Sequence, residues 1–231
     1  MRLVFVAADP KEFIGVLTRA EQPRRAAIGV DWARTARLAG HEVMLVANGI
    51  GRERAAAAAG AGAEAFAAEG IVSTGFCGAL APELGIGDIV AASSVEGPRR
   101  QFRACPVSSA RVPHRGVVRT IDHVAQTAEE KGRLRATGAA AVEMEAAGVA
   151  ARAEERRLPF YCIRAVTDLA GETLANDFNR ALRSGGYFDT MLILRNSLRD
   201  PLVRVPELLR LRERCFLAAN SLGEFFAGCR F

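Results

Sequence analysis

Short, strongly apolar runs alternate with helix-forming stretches along most of the chain, and this alternation limits the fold more than any other feature. Continuous apolar runs of four to nine residues are typical of strands buried on both faces. We predict strands at 2–8, 26–31, 41–48, 71–76, 87–95, 139–144 and 159–167. Helices are predicted at 11–20, 49–70, 125–136 and 145–157, with a loop at 96–115 and a helical pattern after Asp168. The pattern predicts an α/β fold with three layers, in which helices flank a central mixed, mostly parallel sheet.

The length of the chain is enough for one substantial core. It has 231 residues, of which 50% are hydrophobic, and one domain is the usual outcome at this size. We therefore expect a single domain over residues 1–231, with a helical C-terminal extension from about residue 186.

The charge of the chain comes almost entirely from arginine. The net charge is +5, and only Lys11 and Lys131 are lysines. No block of five or six basic residues occurs, so a nucleic-acid partner is not expected. An anionic partner such as phosphate or a membrane surface stays open.

The cysteines indicate neither a metal site nor a disulfide framework. Five cysteines are scattered without C-x-x-C spacing, and we expect neither zinc nor another metal, and no resident cofactor. The N-terminal run is too short for a signal peptide, and no apolar stretch of 18 residues occurs. A cytoplasmic location is expected.

Ligands of open α/β sheets lie beyond the carboxyl ends of the strands. In this chain that rule selects five short segments, which are Asp9–Glu12, Gly49–Gly51, Gly75–Gly78, Glu143–Glu145 and Thr167–Asp168.

Two of these segments are glycine-rich. Gly75, Phe76, Cys77 and Gly78 predict either an ordinary tight turn or a turn whose backbone N–H groups approach a ligand. Gly49–Gly51 is similar to half of a dinucleotide fingerprint. The acidic residue expected at the end of the next strand is missing, which disfavours a dinucleotide-dependent reductase.

The other segments carry acids. Glu143 and Glu145 are two residues apart at a strand end, so they point the same way if the backbone stays extended. Sugar hydroxyls would satisfy such a pair, although an acid-rich helix start is the simpler interpretation. Asp168 ends an apolar strand and is either a helix cap or a general acid in a semi-buried cleft. Glu12 adds a fourth acid at the same edge of the sheet.

Taken together, these strings resemble the nucleoside phosphorylase and methylthioadenosine/adenosylhomocysteine nucleosidase superfamily. The resemblance covers the chain to about Phe178. It is carried by Gly49–Gly51, Thr74–Leu80 with Gly87–Val90, Ala141–Ala146 and Pro159–Asp168. It implies cleavage of the N-glycosidic bond of a purine nucleoside, and assembly as a homodimer or a larger homo-oligomer.

The resemblance also implies roles for single residues. Glu145 would bind the ribose 2′- and 3′-hydroxyls, with Met144 packed on the sugar. Asp168 would protonate purine N7, and Glu12 would orient the attacking water. Phe178 matches an aromatic residue near the nucleoside. Phe76 departs from the pattern, because nucleosidases carry a small residue there, and it alters the pocket for water or phosphate.

Two further strings, Glu130–Ala139 and Leu198–Leu209, resemble the hopanoid-associated phosphorylases. That subgroup implies adenine release from adenosylhopane. The alternatives are a nucleosidase for methylthioadenosine or a similar compound, and a catalytically silent nucleoside-binding protein on the same fold. Water and phosphate both stay open as nucleophile, with phosphate a co-substrate in the second case.

The end of the chain predicts an amphipathic helix over 205–227. Its apolar residues recur at steps of three and four, beside a group of arginines. Such a helix either docks on the core or brings the enzyme to a membrane as a peripheral protein at the inner face.

Overall fold

Ten strands form one sheet in the computed structural model, which describes residues 1–231. The strands are β1 (Arg2–Ala7), β2 (Glu21–Arg25), β3 (Trp32–Leu38), β4 (His41–Ala47), β5 (Gly70–Ala79), β6 (Ile89–Glu96), β7 (Gln101–Arg103), β8 (His114–Thr120), β9 (Ala139–Glu143) and β10 (Phe160–Asp168). Their side chains alternate between two buried faces. In β1, Val4 and Val6 enter one apolar cluster while Leu3 and Phe5 enter the other, as expected for a strand covered on both sides.

The sheet is mixed, and part of it closes on itself. The order is β10-β6-β8-β9-β5-β1-β4-β3-β2, and β10 also pairs with β5. The strands β5, β9, β8, β6 and β10 therefore form a closed ring, from which β1, β4, β3 and β2 extend. Five pairings are parallel and five are antiparallel. The expectation of a mostly parallel sheet is thus corrected, because hairpins and the ring closure add as many antiparallel contacts as crossovers add parallel ones.

Seven helices accompany the sheet. A 3₁₀ turn at Pro10–Phe13 leads into α1 (Ile14–Leu17), and the others are α2 (Arg52–Ala65), α3 (Ala128–Arg135), α4 (Ala146–Glu155), α5 (Phe178–Ala181), α6 (Thr190–Ser197) and α7 (Pro201–Ala227). Alanines of α2 and α4 cover one face of the sheet. The other face is covered by α1 and the second half of α7. This gives the three layers that the alternation of runs predicts.

Glycines set the contact between the two helices of the second face. A Cβ on Gly15 of α1 would overlap the backbone of Ala219, and a Cβ on Gly223 would overlap the backbone of Gly15. The missing side chains let α1 and α7 cross with their backbones touching. This crossing holds the 3₁₀ turn, and with it Glu12, against the sheet.

Several predicted boundaries were wrong. Residues 26–31 are a loop between β2 and β3, and the loop predicted at 96–115 contains β7 and the start of β8. The sequence of β2, EQPRR, is exposed throughout, so this strand exists through its pairing with β3 and not through burial. Between Asp168 and α5 the chain is irregular, which the helical pattern did not predict.

The C-terminal helix belongs to the core. Its predicted apolar face is fully buried in the second half of α7, where Ala218, Leu222, Phe225 and Phe226 have no exposed surface. Docking on the core is therefore the correct alternative for this face. No helix in the structure combines the length and the apolar character needed to span a membrane.

Candidate active site

A cavity of about 680 Å³ opens where β1, β4, β5, β9 and β10 end or approach one another. Its wall contains Glu12, Glu143, Glu145 and Asp168. The sheet-edge rule thus brings together all four acids that the sequence singled out. The wall also contains Phe76, Cys77, Gly78 and Met144, as predicted, but Gly75 lies behind it.

Glu12 is positioned by the turn that follows β1. Asp9 caps this turn, its side chain accepting from Lys11 N at 2.8 Å, and Pro10 occupies the first position. Glu12 at the third position reaches back to the backbone N–H groups of Ala8 and Asp9, at 2.8 and 3.0 Å. This reciprocal arrangement is a capping box. The turn therefore holds the carboxylate of Glu12 rigidly.

The other oxygen of Glu12 contacts the backbone of β5. Glu12 Oε1 accepts a hydrogen bond from Phe76 N at 2.8 Å. Gly75, with φ of +130°, leaves the space for it, since a Cβ there would overlap this carboxylate. Burial raises the pKa of Glu12, against the backbone hydrogen bonds and Arg164, which lower it.

The segment Gly75–Gly78 is not the turn that the sequence predicted. It continues β5 and pairs with Arg164–Asp168 of β10. Glycines at 75 and 78 keep this strand free of side chains where acids approach, since a Cβ on Gly78 would lie 2.8 Å from Asp168 Oδ2. The backbone N–H of Phe76 approaches the cavity as expected, but its partner is Glu12.

Glu143 and Glu145 have different environments. Glu143 Oε1 accepts from Thr120 Oγ1 at 2.5 Å, and Oε2 accepts from the backbone N–H groups of Glu145 and Ala146 at 2.9 and 2.8 Å. It also forms an ion pair with Arg164 at 2.5 Å. Its carboxylate therefore caps the start of α4, and most of its acceptor capacity is used within the protein. Binding of substrate hydroxyls by Glu143 stays a prediction.

Glu145 keeps free acceptor capacity. Its Oε1 accepts from Gly51 N at 3.0 Å, and its Oε2 accepts from Met144 N at 3.3 Å and lies 3.8 Å from Arg164 Nη1. Burial, followed by the repulsion of Glu143, raises the pKa of Glu145 to about 7, although Arg164 lowers it. The glycine turn at Gly51 thus contributes to the site by holding this carboxylate.

Asp168 ends β10 with its side chain 15% exposed. Its Oδ1 accepts from Thr167 Oγ1 at 3.1 Å. Its Oδ2 accepts from the ammonium of Lys131, which also donates to Leu169 O at 2.8 Å. Asp168 therefore lies at the edge of the cavity with one oxygen held by an ammonium and the other bonded only to the hydroxyl of Thr167.

Phe178 does not line the cavity. It packs edge-on against Phe188, with ring centroids 5.8 Å apart, and Phe188 is the ring that reaches the wall. Because the chain after Asp168 is irregular, Phe178 lies behind Phe188 and not at the cavity wall. Tyr187, Phe188 and Ile193 form an apolar side of the cavity that sequence reasoning missed.

Two basic residues were also missed. Arg164 is fully buried in β10 and its Nη1 donates to Thr74 O at 2.8 Å, beside its ion pair with Glu143. An arginine within a strand predicted to be buried was the available signal. Lys131 gave a weaker one, as one of two lysines in an arginine-rich chain. No group of three or more His, Cys, Asp or Glu side chains is arranged to hold a metal ion.

Buried acids gathered in one cavity at the carboxyl edge of a mixed α/β sheet are typical of enzymes that work by proton transfer and hydrogen bonding. Comparison with known proteins agrees with this class. The sequence profile of the phosphorylase superfamily matches residues 2–106 and 103–185. The chain belongs to the phosphorylase superfamily.

Known relatives and folds are consistent with that membership. The chain is 27% identical over 226 residues to the 5′-methylthioadenosine/S-adenosylhomocysteine nucleosidase of Bacillus cereus strain G9842, covering 84% of this chain and 97% of the relative. Nucleosidases of the same name share the fold. For Neisseria meningitidis the TM-score is 0.72 at 20% identity, with 98% of each chain covered. For Streptococcus pneumoniae it is 0.71 at 21% identity, with 99% covered. The futalosine hydrolase of Helicobacter pylori gives 0.68 at 15% identity, covering 97% of this chain and 98% of that one.

Proposed function

We propose that the chain hydrolyses the N-glycosidic bond of a purine nucleoside and releases adenine. The observation that carries this proposal is the placement of Glu12, Glu145 and Asp168 on one cavity in three different environments. Breaking a ribosyl C–N bond builds positive charge on the sugar and negative charge on the base. The three acids can meet the three demands of that reaction, which are sugar binding, protonation of the base and activation of water.

Glu145 is assigned to the ribose. Its two oxygens accept from the N–H groups of Gly51 and Met144, and each oxygen keeps a lone pair for a hydroxyl donor. Two charge-assisted hydrogen bonds from the 2′- and 3′-hydroxyls would suit the ionised carboxylate. The negative charge beside C1′ also stabilises the cationic sugar of the transition state.

Asp168 and Glu12 are assigned to the proton transfers. As the C1′–N9 bond breaks, its electron pair passes to the purine, and the proton of Asp168 passes to N7. Water attacks C1′, and its proton passes to Glu12. A general base is most effective when its pKa lies near the working pH, and burial shifts Glu12 in that direction.

Three contacts favour water over phosphate. The backbone N–H groups of Ala8, Asp9 and Phe76, which would suit an anion, already bind the carboxylate of Glu12. A phosphate beside this carboxylate would be repelled. No arginine lines the cavity, where the basic residues are Lys11 and His123, and Arg164 is engaged by Glu143. The arginine-rich composition therefore gives no support to a phosphorylase.

The proposal can be made more specific at the 5′-carbon of the nucleoside. We propose a substrate with a long apolar 5′ group, as in adenosylhopane. The apolar side of the cavity continues into α6 and the start of α7, where large apolar side chains are exposed. We call this region the α6–α7 surface, and it comprises Met191 (75% exposed), Leu194 (51%), Leu198 (72%), Leu202 (88%), Val203 (51%) and Leu209 (56%). Arg195, Arg199 and Arg210 are exposed among them.

An exposed apolar surface with arginines is typical of a protein that binds at a membrane interface. Its position beside the cavity supports a nucleoside whose long apolar 5′ group stays in the bilayer. The buried face of α7 has no part in this contact. We propose that the occupant of the α6–α7 surface is an anionic lipid surface, and self-association through it is the competing outcome of the test.

The main test is product analysis on adenosine, methylthioadenosine and adenosines with longer 5′-alkyl groups, each with and without inorganic phosphate. Adenine with free ribose sugar, at a rate that phosphate leaves unchanged, supports hydrolysis. Ribose 1-phosphate would overturn it, and no adenine from any of them would favour a silent nucleoside-binding protein. Preference for the long alkyl groups would support the apolar substituent.

Membrane contact is tested by flotation with vesicles of neutral or anionic phospholipid. The full-length protein should float with anionic vesicles, and the double variant Leu194→Ser/Leu198→Ser should not. Val112→Ser is a matched control, since Val112 is 88% exposed in the loop before β8. If the parent protein does not float but forms a dimer that the double variant disrupts, the α6–α7 surface binds a second copy of the chain and not a membrane.

A further inference from the structure

Helix α3 buries a single side chain, and it is a lysine. Thr127 caps the helix by accepting from Glu130 N at 3.1 Å. Arg133 and Glu129 form an exposed ion pair one turn apart. Lys131 is the only buried residue of α3, and its side chain has no exposed surface. A buried ammonium is unfavourable unless other groups compensate its charge, so its partners decide why it is there.

The partners of Lys131 are at the cavity edge. Its ammonium donates to Asp168 Oδ2 and to Leu169 O, the latter at 2.8 Å. Asp168 Oδ1 has only the hydroxyl of Thr167, at 3.1 Å. The ammonium thus occupies one carboxyl oxygen and leaves the other for a ligand. Rotation of the carboxyl group is restricted at the same time.

The residue type at position 131 is informative. Only two of the 31 basic residues are lysines, and both Arg133 and Arg135 lie in the same short helix. A lysine carries a compact point charge, whereas a guanidinium is a broad fork suited to bidentate contacts. A compact charge is what a single carboxyl oxygen in a closed pocket requires.

We propose that Lys131 is a positioning residue for the general acid Asp168, an inference that rests on the proposed function. Asp168 Oδ1 gives its proton to purine N7 while the C1′–N9 electron pair passes to the base. Asp168 is then a carboxylate, and Lys131, which keeps its three protons, stabilises that new charge across Oδ2. The ammonium acts through Asp168 and touches no reacting atom.

Several other ionisable groups lie near the pair, among them His123, which lines the same cavity and is paired with Glu130. Cys77 on β5 and Cys215 on α7 interact electrostatically with Asp168. Glu172 in the loop after β10 interacts with Lys131 and is paired with Arg214 at 2.7 Å. These groups are common to the parent and to every variant below, so a change in pH profile reports the removed ammonium.

The experiment compares Lys131→Met, Lys131→Arg and the control Arg133→Met in the full chain. Lys131→Met should lower kcat about 100-fold and change KM less than about threefold, because the defect is in the acid and not in binding. The pH profile of kcat should also change, because no ammonium is left to compensate the charge that forms on Asp168. Lys131→Arg should restore part of kcat, and Arg133→Met should match the parent.

The outcomes separate the inference from the proposed function. A parent enzyme that releases no adenine overturns the proposed function. An active parent with unchanged kcat and pH profile in Lys131→Met overturns the role of Lys131 alone. A loss of kcat that follows a lower melting temperature, with the pH profile unmoved, also overturns it. If Lys131→Met does not fold, Lys131→Gln takes its place, and a parental kcat with an unchanged pH profile in that uncharged variant contradicts the role.

Discussion

The carboxylate of Glu12 occupies the space that a side chain at Gly75 would need. Gly75 has φ of +130°, and a Cβ built there would overlap Glu12 Oε1. The strand that passes under the cavity and the acid that follows β1 are therefore packed as one unit.

Gly75→Ala should displace this carboxylate and lower kcat/KM about 100-fold, because small errors in position are costly for a catalytic group. It should also destabilise the fold, since φ of +130° is strained for alanine. Steady-state kinetics and thermal unfolding measure both effects. The control is Gly132→Ala in α3, where the added Cβ meets nothing within 4 Å. Full activity in Gly75→Ala would show that Glu12 tolerates another position.

Asp168→Asn should keep the fold and lower kcat by about 10²–10⁴-fold, because an amide of the same shape cannot give up a proton. Circular dichroism checks the fold, and adenine release checks kcat. A loss below about tenfold would remove Asp168 from the general-acid role.

Glu12→Gln should abolish hydrolysis while nucleoside binding changes little, because the amide cannot accept the proton of the attacking water. Adenine release and the binding of a non-hydrolysable nucleoside analogue are measured side by side. Phosphate should not restore the activity. Restoration by phosphate would show that the parent site also admits an anionic nucleophile.

Substrate affinity should fall as the pH decreases through about 7, because burial raises the pKa of Glu145 to that value and the proposed contact with the ribose requires the ionised form. The effect of this group on folding stability has the opposite pH dependence, and its contribution is largest at low pH. The folded protein binds the proton more tightly than the unfolded chain, whose carboxyl has a pKa of about 4.5, so this group makes folding less favourable as the pH rises from about 4.5 to 7. Urea unfolding at several pH values should show a smaller decline in Glu145→Gln. Equal activity on 2′-deoxynucleosides would contradict the ribose assignment.

Arg164→Met should lower the free energy of unfolding by about 3–5 kcal/mol, as expected when one partner of a buried ion pair is removed. Glu143 would lose its ion pair and Glu145 its nearby cation. The double variant Arg164→Met/Glu143→Gln should recover part of the loss, since no unpaired charge is then left between these positions. Denaturant unfolding tests the recovery, and strictly additive losses would show that the two side chains do not depend on each other.

The acids of the site could be predicted because they follow apolar strands directly. Asp168 and Glu12 each lie just beyond such a run, and the sheet-edge rule brings them together. The division of labour between Glu143 and Glu145 could not be predicted, because it depends on Arg164, which is distant in sequence. The pairing of Lys131 with Asp168 likewise joins residues 37 positions apart.

Strands without apolar runs were also beyond prediction. The sequence of β2 is exposed throughout, and only its neighbour β3 defines it. Tertiary pairing overrides local preference in such cases.

Two parts of the chain around the cavity differ in how well they tolerate substitution. One is the closed ring formed by β5, β9, β8, β6 and β10. Glu143 and Asp168 end two of its strands, β9 and β10, each of which is hydrogen-bonded to two neighbouring strands. The segment 186–198 borders the same cavity from outside the ring, with much of its apolar surface exposed. Substitutions of its exposed residues, such as Met191 and Leu198, are expected to cost little stability. Substitutions in segment 186–198 can therefore change the substrate that the cavity accepts, while the acids that carry the reaction stay the same.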